Sequence, residues 1–133
     1  MCEFRGKHGA AIFNFYLLKN KTTHVDGDRQ CKELGYDGLA SFSFPEAYRY
    51  GLEITEPYRT ASPVQVNIGL YLHKPTSTLY WAEGSPVTSD VPWRYPPPDT
   101  TGKLPYGKMA RDGKFIMKNN DDTALSLCGN CES

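Results

Sequence analysis

The chain has 133 residues, a length that suits one compact domain with a single hydrophobic core. Lys and Arg number 15, as do Asp and Glu, so the formal net charge is +0. No overall field therefore draws the chain to nucleic acid or to an anionic membrane. The longest apolar stretch, residues 10–18, is interrupted by Asn14 and is far shorter than the roughly 20 residues that cross a bilayer. We expect one domain over residues 1–133, with no transmembrane segment and no nucleic-acid partner.

The first half of the chain predicts one strand and two helices. Residues 10–18 read as a strand because aromatic and aliphatic side chains recur along them. A helix should start after Thr22 or Thr23 as the N-cap and end at Gly35. A second helix should begin at Pro45, run through Ile54 and be closed by Pro57. The inward face of the first helix should carry His24, Gly27, Cys31 and Leu34.

The second half predicts short strands and one long loop. The triplet Arg111-Asp112-Gly113 indicates a hairpin, since Asp-Gly supplies the positive φ angles of a tight turn. Residues 85–104, with Pro96-Pro97-Pro98 at their centre, form a loop long enough to be functional or disordered. The sequence has no internal repeat and no linker, so the whole chain is predicted to be one α+β unit. The predicted strands are residues 64–72, 79–81, 104–110, 114–118 and 124–128.

Four cysteines, Cys2, Cys31, Cys128 and Cys131, suggest two disulfides, and their spacing leaves three connectivities open. Zinc is disfavoured because it normally requires a second closely spaced pair. A redox dithiol of Cys128 and Cys131 needs a helix start, yet only two residues follow Cys131. No secretion signal begins the sequence, so we expect either a cytosolic chain or a secreted one whose signal lies outside it. Asn20 in Asn20-Lys21-Thr22 is a glycosylation acceptor if the chain is secreted.

Five segments together resemble a known family, the C-type lectin-like domain, and follow its order. The stretch TTHVDGDRQCKELGYDGLAS, residues 22–41, resembles the family's cysteine-bearing helix and its Gly-x-x-Leu-Ala element. Asn67-Ile68-Gly69-Leu70 resembles its Trp-Ile-Gly-Leu strand. The other matches are Trp81-Ala82-Glu83-Gly84-Ser85-Pro86-Val87 with Trp93, Met109 to Phe115, and Leu127-Cys128. The resemblance implies a C-type lectin-like fold, with two helices flanking short antiparallel strands and a long loop region.

The same resemblance implies a disulfide between Cys31 and Cys128, which leaves Cys2 to pair with Cys131. The family's other bridge, at the base of the long loop, would fall at Tyr106 and Asn120 in this sequence. Neither position is a cysteine. We therefore expect the long loop to be held less tightly than is usual in the family.

Many members of the family bind sugars through a calcium ion, which needs six to eight oxygen ligands. The ligand positions that the resemblance implies are Pro97-Pro98-Asp99, Leu104 and Phe115-Ile116-Met117, so only Asp99 retains a suitable side chain. We expect the usual calcium site to be missing and no cofactor to be required. His8, His24 and His73 lack metal-ligand spacing, and we expect His24 to be packed in the core. The loop acids Asp90, Asp99, Asp121 and Asp122 are interpreted as solvated turn residues.

Ligand binding would then fall to other side chains of the long loop and the final hairpin. Aromatic and arginine side chains dominate binding hot spots. Trp81 and Trp93 are expected to pack in the core, while Lys114 and Lys118, with Lys108 and Arg111, should form a modest basic strip. The candidate ligand-binding residues are Arg94, Tyr95, Asp99, Lys103, Tyr106 and Lys108.

Three functions remain open from the sequence. The first is a secreted or cell-surface C-type lectin-like recognition module that binds a protein or glycan ligand without the usual calcium. The second is a carbohydrate-binding lectin with a displaced metal site or aromatic stacking. The third is an enzyme such as a dithiol oxidoreductase acting through Cys128 and Cys131, and it is the weakest because no other catalytic set stands out. The resemblance also allows a homodimer, although no residue requires one.

Overall fold

The computed structural model describes residues 12–43, 45–61, 64–88, 91–95, 98 and 100–132, and it contains two helices and seven strands in these ranges. The predicted α+β class is confirmed. The strands β3 to β7 begin within two residues of their predicted starts, whereas β2 has only two residues and carries no pattern to predict it. In chain order the elements are β1 Ile12–Thr22, α1 His24–Glu33, β2 Gly38–Leu39, α2 Pro45–Ala61, β3 Val66–His73, β4 Thr78–Trp81, β5 Tyr106–Met109, β6 Phe115–Lys118 and β7 Ala124–Glu132.

All seven described strands belong to one sheet with the order β1-β7-β3-β5-β6; β2 also pairs with β7, and β4 with β3. The predicted antiparallel pairing holds for most of the described strands, but β3 and β7 run parallel, with Val66 opposite Leu125. The antiparallel pairing of β7 with β1 over most of its length sets the direction in which β7 meets β3. The mixed sheet thus depends on long-range pairing that local sequence patterns do not contain.

Helix α1 follows its capping signals closely. Thr23 is the N-cap, and its hydroxyl accepts a hydrogen bond from the Asp26 N–H at 3.3 Å. Gly35, with φ of +96°, follows the last turn in the left-handed conformation. His24, Gly27 and Cys31 are buried as predicted. The prediction that Leu34 faces inward is wrong, because Leu34 lies past the last helical residue and its side chain is 56% exposed.

Helix α2 does not end at Pro57, as the sequence suggested, but continues to Ala61. A proline inside a helix removes one backbone hydrogen bond. Contacts of Arg59 hold the final turn nonetheless: its guanidinium donates to the Arg111 carbonyl at 2.8 Å and to the Leu52 carbonyl at 3.0 Å. The helix faces the sheet with a stripe of buried residues four positions apart, namely Ala47, Gly51, Thr55 and Arg59.

The main core lies on the sheet face that α2 covers. Phe42 stacks on Phe115 at 5.7 Å between ring centres and meets Trp81 edge to face at 5.8 Å. Trp81 is fully buried and Trp93 packs half-buried against the same cluster, which confirms the predicted core role of both tryptophans. Other buried members of this core are Val66, Ile68, Leu70, Met109 and Leu127.

The opposite face of the sheet carries α1, which a disulfide fixes to β7. Cys31 and Cys128 are bonded, with their Cα atoms 5.2 Å apart and a sequence separation of 97, as the family resemblance implied. The predicted partner bridge from Cys2 to Cys131 lies outside the described residues, because Cys2 is not among them. Neither described helix is long and apolar enough to cross a membrane.

Candidate ligand-binding surface

The β5–β6 hairpin positions one side of the long loop. Its turn closes as predicted at Arg111-Asp112-Gly113, where Gly113 has φ of +83°. The Asp112 carboxylate accepts a hydrogen bond from the Lys114 N–H at 3.0 Å, and the Ala110 N–H donates to the Lys114 carbonyl at 2.7 Å. The turn therefore fixes the start of β6, the outermost strand on this side of the sheet.

The segment around Trp93 attaches the long loop to β6. The Phe115 N–H donates to the Pro92 carbonyl at 2.9 Å, and the Arg94 N–H donates to the Phe115 carbonyl at 3.0 Å. These two bonds form a short parallel bridge between Trp93 and Phe115. The loop thus adds one step of parallel pairing to the outer edge of β6 at Trp93.

A cavity of about 200 Å³, which we call the long-loop cleft, lies beside this attachment. Its walls are apolar except for a tyrosine hydroxyl, an indole N–H and backbone groups. Leu104, Ile116 and Met117 stand at positions where the family resemblance implied calcium ligands, and none offers a side-chain oxygen. The lining residues are Trp93, Tyr95, Pro98, Leu104, Phe115, Ile116 and Met117.

Metal ligands are also missing around the cleft within the part of the chain that the structure describes. These residues include no group of three or more His, Cys, Asp or Glu side chains placed to hold an ion. Asp121 and Asp122 are exposed. Asp90 and Asp99, the other two candidate acids, lie outside the described residues.

The rim of the long-loop cleft is cationic and aromatic. The Arg94 guanidinium lies 5.5 Å from the centre of the Tyr95 ring and 3.9 Å from the Asp112 carboxylate. Tyr95 is 71% exposed, the most exposed large hydrophobic residue among those described. Lys103 is exposed next to Leu104. The structure therefore brings the predicted pair Arg94 and Tyr95 together on the surface, with Lys103 nearby in the chain.

The prediction that Lys108 lies on a basic surface strip is wrong. Its side chain is fully buried beneath α1, opposite Asn67 in the β3–β5 register. Its Nζ donates to Asn67 Oδ1 and, at 3.4 Å, to the Asp122 carbonyl. Burial lowers the pKa of Lys108 from 10.5 to about 8, although the charge of Asp122 opposes the change. Asn67 Nδ2 in turn donates to the Thr22 carbonyl and to Ser126 Oγ, each at 3.1 Å.

Tyr106 also lies away from the long-loop cleft, because its ring stacks on His24 at 4.6 Å under α1. His24 is buried, as predicted, with Nε2 2.7 Å from the Ile68 carbonyl. Burial lowers the pKa of His24 from 6.5 to about 4; the hydrogen bond to Ile68 and the charge of Asp28 raise it, and the charge of Lys108 lowers it. The imidazole is therefore neutral at pH 7, and its Nε2–H donates to Ile68.

A second cavity of about 300 Å³, which we call the α1 cleft, opens between α1 and the strands β3 and β5. Tyr71 lies opposite Tyr106 in the strand register and stacks on Tyr80 at 6.1 Å. The sequence reasoning missed Tyr71 and Tyr80, although tyrosines at facing positions of a hairpin are a detectable signal. The lining residues are His24, Val25, Asp28, Lys32, Asp37, Gly69, Tyr71, Ala82 and Tyr106.

The two positions where the family has its other disulfide both contact α1 in this chain. Tyr106 stacks on His24, and Asn120 Oδ1 accepts a hydrogen bond from the Val25 N–H at 3.0 Å. That N–H belongs to the first helical turn, where backbone donors lack helical partners. The looser hold on the long loop, expected from the missing bridge, stays a prediction.

Comparisons with known proteins bear on the fold. No model of a known protein family matches the sequence, and no curated protein matches it. Among solved structures, the C-type lectin CEL-I from Cucumaria echinata is similar, with 18% identity, a TM-score of 0.76, and 88% of this chain and 89% of that chain covered. Human lithostathine is 18% identical, with a TM-score of 0.75, and the match covers 91% of this chain and 84% of lithostathine. A calcium-independent type II antifreeze protein is 20% identical, with a TM-score of 0.71, and the match covers 91% of this chain and 88% of the antifreeze protein.

The chain therefore has the C-type lectin-like fold, as the five sequence segments predicted. The disulfide also bears on the third functional hypothesis. Because Cys128 is bonded to Cys31, it is not available to form a redox dithiol with Cys131.

Proposed function

We propose that the chain is an extracellular C-type lectin-like recognition module that binds a protein or glycan ligand on its long-loop face without the usual calcium-dependent sugar site. The observation that carries the proposal is the long-loop cleft. Leu104, Ile116 and Met117 line it at positions that the family resemblance aligns with calcium ligands. A hard cation requires oxygen donors, which these side chains lack.

The composition of the long-loop face supports ligand binding. An exposed Tyr95 beside Arg94 and an apolar cavity combine the features that recur at binding hot spots, namely large buried area and a polar handle. Lys103 adds a positive charge to the same rim. An apolar group of the ligand can thus lose its hydration in the cavity at the centre of this face. Polar groups at the rim can then set the orientation of the ligand.

Two features support an extracellular location. The disulfide between Cys31 and Cys128 joins residues 97 apart in sequence, and such structural bridges persist in oxidising compartments. The predicted glycosylation acceptor Asn20 is exposed, with its amide 3.3 Å from the Gln30 side chain, so a glycan there would meet no packed core. We propose that the mature domain carries both modifications.

Thermal unfolding with and without calcium tests the metal part of the proposal. A ligand that binds only the folded state stabilises it by about 2.7 kcal/mol at a hundredfold excess over its Kd. We expect the same unfolding midpoint in millimolar calcium and in chelator for the non-reduced protein. A midpoint several degrees higher in calcium would contradict the proposal and direct mutagenesis to Asp90, Asp99, Asp121 and Asp122.

Binding screens with a matched pair of variants test the location of the ligand site. The multimerised domain would be applied to a glycan array and to a panel of extracellular proteins. Tyr95→Ala should weaken any binding found by about tenfold or more, because it removes the most exposed aromatic ring of the face. Tyr50→Ala is the control, since Tyr50 is exposed on α2. Equal effects of the two substitutions would refute a long-loop site.

A second candidate function, sugar binding by aromatic stacking, is favoured by the α1 cleft. Tyr71 and Tyr106 line that cleft together with the acids Asp28 and Asp37. Rings that stack on a sugar face and carboxylates that accept from its hydroxyls would bind without metal. Tyr71→Ala would abolish glycan binding at this cleft, whereas Tyr95→Ala would leave it intact.

A further inference from the structure

The backbone groups on the sheet side of the α1 cleft are already paired within the protein. The Gly69 N–H donates to the Ala40 carbonyl, and the Gly69 carbonyl accepts from the Ala82 N–H, each at 2.7 Å. On the helix side, the Nε2–H of His24 is used by the Ile68 carbonyl. Every residue that lines the cleft lies in the described ranges. Gly69 therefore offers a ligand no free backbone donor, and the side chains around it decide what can bind.

Two tyrosine rings supply the aromatic surface of the cleft. Tyr71 and Tyr106 lie opposite each other in the register of β3 and β5, and both line the cleft. Tyr71 is held by stacking on Tyr80, and Tyr106 by stacking on His24, which is neutral at pH 7. The faces of such rings carry partial negative charge. The sheet side of the cleft thus presents ordered aromatic surface that attracts a cation.

The lining side chains of the α1 cleft also carry a surplus of negative charge. Asp37, just before β2, is exposed and forms no ion pair with any described residue. Asp28 accepts a hydrogen bond from the Leu39 N–H at 3.1 Å and lies 3.1 Å from the Lys32 ammonium group. The buried Lys108 does not line the cleft. Two carboxylates therefore face a single ammonium group in the lining, and a cationic ligand would balance the charge.

The cleft suits a methylated ammonium group better than a primary one. A primary ammonium group brings three N–H donors, each of which needs an acceptor when it leaves water. Asp28 is already engaged by Leu39 and Lys32. A quaternary ammonium group has no N–H, and aromatic rings bind it through its charge and its methyl groups. The cavity of about 300 Å³ is at the lower end of small-molecule sites, which suits a compact group.

We propose that the α1 cleft binds a quaternary ammonium group on a short stem, the chemistry shared by choline and by a trimethylated lysine side chain. The rings of Tyr71 and Tyr106 contact the methyl groups, and Asp28 and Asp37 balance the charge. The proposal does not rest on the long-loop site, and it gives the α1 cleft a cationic ligand in place of a sugar.

NMR titration of the isotope-labelled protein with choline tests this proposal. We expect saturable shifts of the Gly69 amide in the millimolar range, with NOEs between the choline methyl protons and the ring protons of Tyr71 and Tyr106. Two probes match choline in shape or in charge. Its uncharged isostere has carbon in place of the quaternary nitrogen, and ethanolamine has the charge without the methyl groups. Each should bind about tenfold more weakly than choline.

Two larger probes distinguish the sources of the quaternary ammonium group. Glycerophosphocholine represents a lipid head group, and the blocked amide of trimethyllysine represents a protein side chain. At least one of them should bind as tightly as choline or more tightly, and the tighter one identifies the source. Weaker binding of both than of choline would contradict the proposal.

Variants of the lining residues complete the test. Lys32→Gln removes the ammonium group that competes for Asp28; because that ion pair is exposed, the fold should persist while choline affinity rises about fivefold. Asp37→Asn, at an exposed position, should lower the affinity by a similar factor. Tyr71→Leu, which keeps apolar bulk without a ring, should lower it about tenfold. Glu33→Gln is the control, since it removes one charge from α1 at a residue that does not line the cleft.

The outcomes separate this proposal from the proposed function. Equal binding of choline and its uncharged isostere, or no binding of choline, overturns the quaternary ammonium site. Equal effects of Asp37→Asn and Glu33→Gln would also contradict it. If choline does not bind while Tyr71→Ala abolishes a glycan signal, the cleft holds a sugar and this proposal is wrong. Tyr95→Ala should leave choline binding unchanged, so the long-loop site stands or fails independently.

Discussion

The buried imidazole of His24 makes the stability of the fold depend on pH. The pKa of His24 is about 4 in the folded chain and 6.5 in the reference state, so the folded chain resists a proton that the unfolded chain takes up. Above pH 6.5 both states are neutral and the full stability is present. As the pH falls from 6.5 to 4, the unfolded state gains protons first, and stability declines.

The magnitude follows from the two pKa values. One pKa unit corresponds to about 1.4 kcal/mol, so the fall from 6.5 to about 4 is worth about 3 kcal/mol of unfolding free energy. The structural cause is the position of the ring, which stacks on Tyr106 and donates to the Ile68 carbonyl under α1. A charged ring there would also face Lys108, while Asp28 compensates only in part.

Urea unfolding at half-unit pH steps between 7 and 4 measures the effect. His24→Gln keeps an N–H donor for Ile68 but does not titrate. The unfolding free energy of the wild type minus that of this variant should therefore fall by about 3 kcal/mol from pH 7 to pH 4. A difference between wild type and His24→Gln that stays constant over this range would refute the buried, neutral imidazole.

Three further predictions concern the packing around β3, β5 and β7. The pKa of Lys108 is about 8 in the folded chain rather than 10.5. The unfolding free energy of the wild type, relative to that of Lys108→Met, should therefore rise by up to about 3 kcal/mol between pH 8 and 10.5 in urea titrations. A difference between the two proteins that does not change with pH would contradict this prediction. Replacing both Cys31 and Cys128 by alanine should lower the unfolding free energy by about 4–5 kcal/mol, given the sequence separation of 97, and a loss below about 1 kcal/mol would contradict it. Gly69→Ala should lower the unfolding free energy by about 1–3 kcal/mol or more, because the new Cβ would lie 2.5 Å from the Leu39 carbonyl oxygen. Calorimetry measures the change, and an unchanged unfolding midpoint would show that the two strands can move apart without penalty.

Under the proposed function, the apolar long-loop cleft stands in place of a calcium site. In a calcium site, carboxylates are held together by the ion and repel one another without it. Here Leu104 and Met117 belong to the same apolar cluster as Trp93, so burial of apolar surface stabilises the base of the loop.

Local signals were enough to predict much of the fold. The Thr23 cap, the Gly35 terminus and the Asp112-Gly113 turn each depend on neighbours in the chain, and the structure shows all three. The long-loop residues Arg94 and Tyr95 were likewise placed correctly on the surface. Backbone preferences of this kind act within a few residues, so they can be predicted from the sequence alone.

Long-range contacts decided the rest. Pro57 predicted a helix end, but Arg59 reaches the hairpin carbonyl of Arg111 and holds another turn. Lys108 looked like a surface cation, yet its strand position places it beneath α1, where Asn67 from another strand receives its ammonium group. The side chain of a strand residue faces water or protein according to what covers that face of the sheet, and only the assembled fold supplies the covering helix.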